Sequence, residues 1–151
     1  MGGEKEDNII YWLTPVRSHE FQTADDVIRT LVGQESIFAF GDKGTVKRSL
    51  KPGDWICFYA SAKGVVAHAR VVSIPERQQH SHVDYSRYPW VVRLAQPSLY
   101  LSNPVVIDAS LRRDLDAFQR RGSAGAWSWF VQRTLRISKH DFRILTRQEN
   151  T

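Results

Sequence analysis

Residues 51–73 constrain the fold more than any other part of this chain. Lys51-Pro52-Gly53-Asp54 is a turn feeding the apolar run 55–61, Lys63-Gly64 is a second turn, and 65–73 is the returning strand. Runs rich in β-branched and aromatic residues, bounded by Pro, Gly and Asp, pair as neighbouring strands. Along the return, Val66, His68, Arg70 and Val72 share one face, and Val65, Ala67, Ala69 and Val71 share the other. Side chains alternate across a strand, so the second, wholly apolar set predicts the core face.

The flanks add strands and short helices. Residues 9–13 read as a first strand. Thr23 is a helix N-cap with Asp25 and Asp26 in the first turn, Val27, Ile28 and Leu31 form an apolar stripe, and Gly33 offers a stop. Residues 36–40 are a short apolar run, and Gly41-Asp42-Lys43-Gly44 is a turn. A polar loop, 75–86, precedes another strand over 88–95. Asp108 caps a predicted helix with Leu111, Leu115 and Phe118 at helical spacing, ending near Gly122. Residues 127–137 fit both the helix and the strand period, and Ser138-Lys139-His140-Asp141 has the form of a capping box opening a last helix. The sum is a mixed α/β (α+β) fold, with helices around a curled sheet or small barrel. No repeat or low-complexity linker divides the 151 residues, so one domain is expected over 9–146, with polar tails at 1–8 and 147–151.

Charge narrows the partner. Lys and Arg number 21 against 16 Asp and Glu, a net charge of +5. That balance favours a polyanion, with nucleic acid ahead of membrane. No apolar stretch is long enough to cross a bilayer, the first eight residues have no signal-peptide core, and Cys57 is the only cysteine. The expectation is an intracellular, cytoplasmic monomer in a reducing compartment, nucleoid-associated if prokaryotic.

Trp90, inside Arg87-Tyr88-Pro89-Trp90-Val91-Val92-Arg93-Leu94, is the most informative single position. An aromatic ring beside cations can stack a nucleobase while the cations hold phosphates. The other reading points Trp90 inward with Val92 and Leu94 as core. Catalytic patterns are missing. His80, His82 and Asp84 alternate, but in a polar loop without the further ligands a zinc set needs. His19-Glu20 is an acid–base pair in sequence only, and there is no nucleophile elbow, Walker loop or dinucleotide fingerprint. Binding rather than catalysis is expected, with no cofactor and no metal.

Five segments, in order, carry a resemblance. They are Tyr11-Trp12-Leu13; residues 50–59, centred on Lys51-Pro52-Gly53-Asp54-Trp55; the glycine-led run 64–72; Tyr88-Pro89-Trp90-Val91-Val92-Arg93-Leu94; and Leu135-Arg136-Ile137-Ser138-Lys139-His140-Asp141-Phe142. Over residues 9–146 the chain resembles the EVE domain family, of the PUA-like superfamily that also holds the YTH and ASCH domains. The resemblance implies a PUA-like curved sheet or small β-barrel flanked by helices. It also implies a pocket for a modified nucleobase flipped out of DNA or RNA.

Carried over position by position, that pocket draws on residues 14–21, 38–42 and 88–90, with Thr14, Ser18, Glu20, Phe38, Phe40, Asp42, Tyr88 and Trp90 as candidates. Phe38 falls where many relatives have tryptophan, and Glu20 falls near an asparagine of YTH domains. Asp42 and Glu20 can accept from an exocyclic amine, or can serve as a loop cap and a solvated charge. Arg112, Arg113, Arg120 and Arg121, read as one helix, hold phosphates or form an ordinary solvated face. The expected partner is DNA or RNA with methylated or hydroxymethylated cytosine, or methylated adenine. The module would serve a modification-dependent restriction system, fused to or associated with a nuclease or AAA+ motor. The alternatives are a general RNA-binding module tied to RNA modification and a small ASCH-like hydrolase.

Overall fold

In the computed structural model, which describes residues 8–16, 23–43, 45–81, 83–119 and 126–148, the strands are β1 (Tyr11–Val16), β2 (Ile37–Phe40), β3 (Trp55–Ala60), β4 (Gly64–Val71), β5 (Glu76–Arg77), β6 (Trp90–Leu99) and β7 (Leu135–Ile137). They form one curled sheet in the order β2-β6-β4-β3-β1-β7, with β5 also paired to β6. The expected hairpin is β3–β4, antiparallel, and β1 joins β3 in parallel, Tyr11 opposite Trp55. β6 begins at Trp90 rather than at 88 and extends to Leu99, because its first half pairs with β2 and its second half with β4.

Both faces of the sheet are covered, which is why its strands read as nearly continuous apolar runs. Trp12, Ile56 and Phe58 enter one core with β2 and the first helical segment, while Leu13, Cys57 and Val65 enter a second core with Leu115, Phe118, Phe130 and Phe142. The simple alternation expected for 65–72 fails at one point. The register slips where Phe58 faces Ala67 but Tyr59 faces Val65, so Val66 is the extra residue of a bulge. Val66 and Ala67 therefore both enter the first core, and Val65 enters the second. Burial pushes the Cys57 thiol far up from its ordinary pKa, and the thiol donates to the Trp12 carbonyl, as suits an inert core residue.

The Pro-Gly-Asp turn is also a knot. Asp54 is fully buried, and its carboxylate accepts from the Ile10 amide (3.1 Å), the Trp12 indole (2.9 Å), the Lys51 amide (3.2 Å) and the Lys51 ammonium (2.5 Å). One side chain thus ties the start of β3 to the start of β1. At the hairpin, Gly64 has φ +134, and a Cβ there would lie 2.2 Å from the Val105 carbonyl oxygen. Only glycine fits.

Helices are short. α1 (Ala24–Val27) has the Thr23–Asp26 capping box, then continues as a π-helix, Ile28–Gln34. Gly33 lies inside that segment, and the chain turns instead at Ser36, with φ 56. α2 (Ala109–Arg113) is capped by Asp108 as expected but ends at Arg113. The single helix expected to reach Gly122 does not form because the Asp141 carboxylate takes the amides of Asp116 and Ala117, at 2.6 and 3.0 Å, out of the helical ladder. A 3₁₀ turn, Asp116–Phe118, follows instead. Ser138 caps α3 (Lys139–Leu145), so the capping serine behaves as read while Asp141 serves another segment. No helix among the described residues is long and apolar enough to cross a membrane.

Candidate nucleobase pocket

β2 builds the site. Its four residues are buried, and Phe38 and Phe40, two apart, project to the same side. Their ring centroids are 6.4 Å apart, and Phe38 is braced edge-on by Phe58 at 5.1 Å. The two rings wall a cavity of about 410 Å³, closed by Val16 at the end of β1, Leu31 of the π-helix, Tyr88 and the segment 132–134. Tyr88 arrives on the 84–88 turn, where its amide donates to the Asp84 carbonyl. Gly41 permits this approach, since a Cβ there would lie 2.9 Å from the Arg87 carbonyl oxygen.

The cavity's electrostatics are one-sided. Lys43, Lys47 and Arg133 line it, and no described lining residue is an acid. The Lys47 ammonium lies 5.9 Å from the Phe38 ring centre and 5.7 Å from that of Phe40, within cation–π range. Polar contacts come from Tyr88, Gln132 and Thr134. Thr14 is fully buried behind this wall, its hydroxyl 2.7 Å from that of Thr134.

Trp90 does not line the cavity. It lies opposite Phe40 in the β2–β6 register and stacks on that ring, with centroids 6.5 Å apart and planes 10° apart. Its indole donates to Asp42 Oδ1 at 2.8 Å, which also accepts from Arg77 at 2.7 Å. The guanidinium carbons of Arg48 and Arg77 each lie 5.0 Å from the indole centre, and Arg48 donates to the Asp42 carbonyl. Trp90 and Asp42 are therefore a clamp behind Phe40, and the Asp42 carboxylate is bonded outside the pocket.

Against solved structures the chain has clear likenesses, whereas no protein-family model and no curated protein matches it. It aligns with the YTH domain of Mmi1 in complex with RNA at a TM-score of 0.56 and 14% identity, over 93% of this chain and 77% of that one. A second structure of that domain with RNA aligns at 0.53 and 14% identity, covering 92% and 78%. A protein from Pseudomonas putida aligns at 0.54 and 13% identity, covering 91% and 97%. The fold is YTH-like.

On this YTH-like fold the candidates read from sequence divide into four sets. Phe38, Phe40 and Tyr88 come together around the cavity, Trp90, Asp42 and Thr14 stand behind its walls, and Ser18, Glu20, Arg120 and Arg121 lie outside the described residues. Arg112 is away from the cavity, donating to the Ile107 carbonyl at 2.8 Å with its guanidinium 4.7 Å from the Trp127 ring centre; Arg113 is exposed in the last turn of α2. His80 pairs with Glu35 at 3.3 Å. Asp84 accepts from the Ser86 hydroxyl and amide, which hold its carboxyl below its ordinary pKa, and His82 lies outside the described residues. Among the described residues the one set of ligand-type side chains within metal-holding distance is Asp116, His140 and Asp141, and both Asp141 oxygens already accept backbone amides. Sequence reasoning missed Lys43, Lys47, Gln132, Arg133 and Thr134. Lys47-Arg48, just after an aromatic run and a glycine turn, was the available signal; residues 132–134 reach the pocket only through the pairing of β7 with β1.

Proposed function

We propose that this chain is a non-catalytic nucleic-acid-binding module that takes a modified base, extruded from its strand, into the cavity walled by Phe38, Phe40 and Tyr88. The carrying observation is that cavity itself, aromatic-walled, about 410 Å³ and lined by cations without an acid among its described residues. Its volume lies in the range of small-molecule sites, roughly 300–1,000 Å³. Stacking on such rings returns about 1–3 kcal/mol per base, enough to offset much of the few kcal/mol that extrusion costs. Lys43, Lys47 and Arg133 supply the charge for the phosphates around the extruded nucleotide. The Mmi1 YTH domain, which shares the fold, is seen bound to RNA, and this favours RNA as the first partner to try. Within the same reading the chain is an EVE-type member of the PUA-like group, fused to or associated with a nuclease or AAA+ motor.

The test is a binding panel of matched single-stranded DNA and RNA oligonucleotides, with a central cytosine or adenine that is unmodified, methylated or hydroxymethylated. Preference for one modified base over its unmodified match supports the reading. Equal binding of all members points to a general RNA- or DNA-binding module, and no binding overturns the nucleic-acid assignment.

A further inference from the structure

A second cavity, of about 1300 Å³, lies across the end of β1 from the first. The two share Pro15, Val16 and Gln132, so a single wall of side chains separates them. Half-buried Tyr59 and Trp127 supply ring surface, and the first turn of α1 supplies Asp25. The Arg112 guanidinium, which does not line the cavity, lies 4.7 Å from the Trp127 ring centre. The Lys63 ammonium sits 2.7 Å from Asp25 Oδ2, whereas Asp25 Oδ1 is enclosed and accepts no hydrogen bond from the described residues. An ionised carboxylate offers about four acceptor positions, and leaving an oxygen desolvated without a donor is unfavourable. Asp25 lines the cavity, and the last torsion of Asp is soft, so rotation about it can exchange which oxygen meets a donor there.

We propose that this cavity is a second base subsite for the nucleotide adjoining the extruded one, and that Asp25 selects there for a base with an exocyclic amine. The proposal rests on the nucleic-acid reading above. Adenine, cytosine and guanine bring an amino group to the carboxylate. Uracil and thymine flank their one ring N–H with two carbonyls, which a carboxylate repels. Tyr59 and Trp127 stack whichever base enters, because every base has a π-face.

The experiment uses the oligonucleotides of the binding panel with each immediate neighbour of the central base varied in turn. Amino-bearing bases are expected to exceed uracil or thymine by about tenfold on one side only, the scale of one charge-assisted hydrogen bond. Asp25→Asn is expected to flatten that preference while keeping the ratio of modified to unmodified central base. Trp127→Ala is expected to weaken every neighbour alike, with its thermal midpoint recorded as a folding control. A central-base ratio with indifferent neighbours, or a neighbour preference that survives Asp25→Asn, overturns this inference alone. No binding to any oligonucleotide overturns the inference together with the function it rests on.

Discussion

At the scale of single residues, the walls of the pocket and their supports are expected to separate in mutants. Tyr88 is half-buried at the cavity edge, so Tyr88→Ala should lower affinity for the preferred modified oligonucleotide by roughly 1–3 kcal/mol, read by titration, with little change for the unmodified one. Trp90 acts through Phe40. Trp90→Ala should destabilise by about 2–3 kcal/mol, somewhat under the roughly 3–5 kcal/mol of a core tryptophan, while Trp90→Phe keeps the stack and the binding ratio. Asp42→Asn keeps an acceptor for the indole and loses an exposed ion pair with Arg77, so base discrimination should stay as in wild type. His68 gives a pH signature. Burial lowers its pKa from 6.5, among the rings of Trp55 and Phe142 and with Tyr100 and Gln148 at its two nitrogens. The unfolded chain therefore takes up the proton first, and the associated stability is complete above pH 6.5 and lost as pH falls toward the folded value. Urea midpoints at about pH 7.5 and about pH 5.5 should differ more in wild type than in His68→Gln.

Elements are held by a few polar and steric devices, and these decide what the sequence could disclose. Asp54→Ala removes the acceptor of four donors and should destabilise by about 3–5 kcal/mol by chemical denaturation, with Asp54→Asn intermediate. The hairpin, the caps at Thr23, Asp108 and Ser138 and the α+β class were legible because each is local: a turn residue, a cap or a period within one segment. Three features were not. The bulge at Val66 is a property of two strands in register, and no alternation within one strand reveals it. α2 stops at Arg113 because Asp141, far along the chain, claims the amides that would extend it. Trp90 could be read as core or as pocket wall because its place depends on pairing with Phe40, which turns it away from the cavity and onto the back of that ring.

For the whole molecule, the net charge of +5 matters through where the cations stand. Lys43, Lys47 and Arg133 ring the pocket, so replacing all three with Ala should reduce the slope of log affinity against log salt by roughly 2, at about 0.7–0.9 per phosphate contact, whereas Arg113→Ala should leave the slope as it is. The central claim is that a base enters between Phe38, Phe40 and Tyr88. Its most direct measurement is the ratio of affinities for one modified oligonucleotide and its unmodified match, taken for wild type and for Tyr88→Ala at equal salt, with thermal midpoints confirming that both are folded. The account expects a ratio of about ten or more in wild type that falls close to one in the variant. A ratio near one in wild type, or a high ratio that Tyr88→Ala leaves intact, would contradict it.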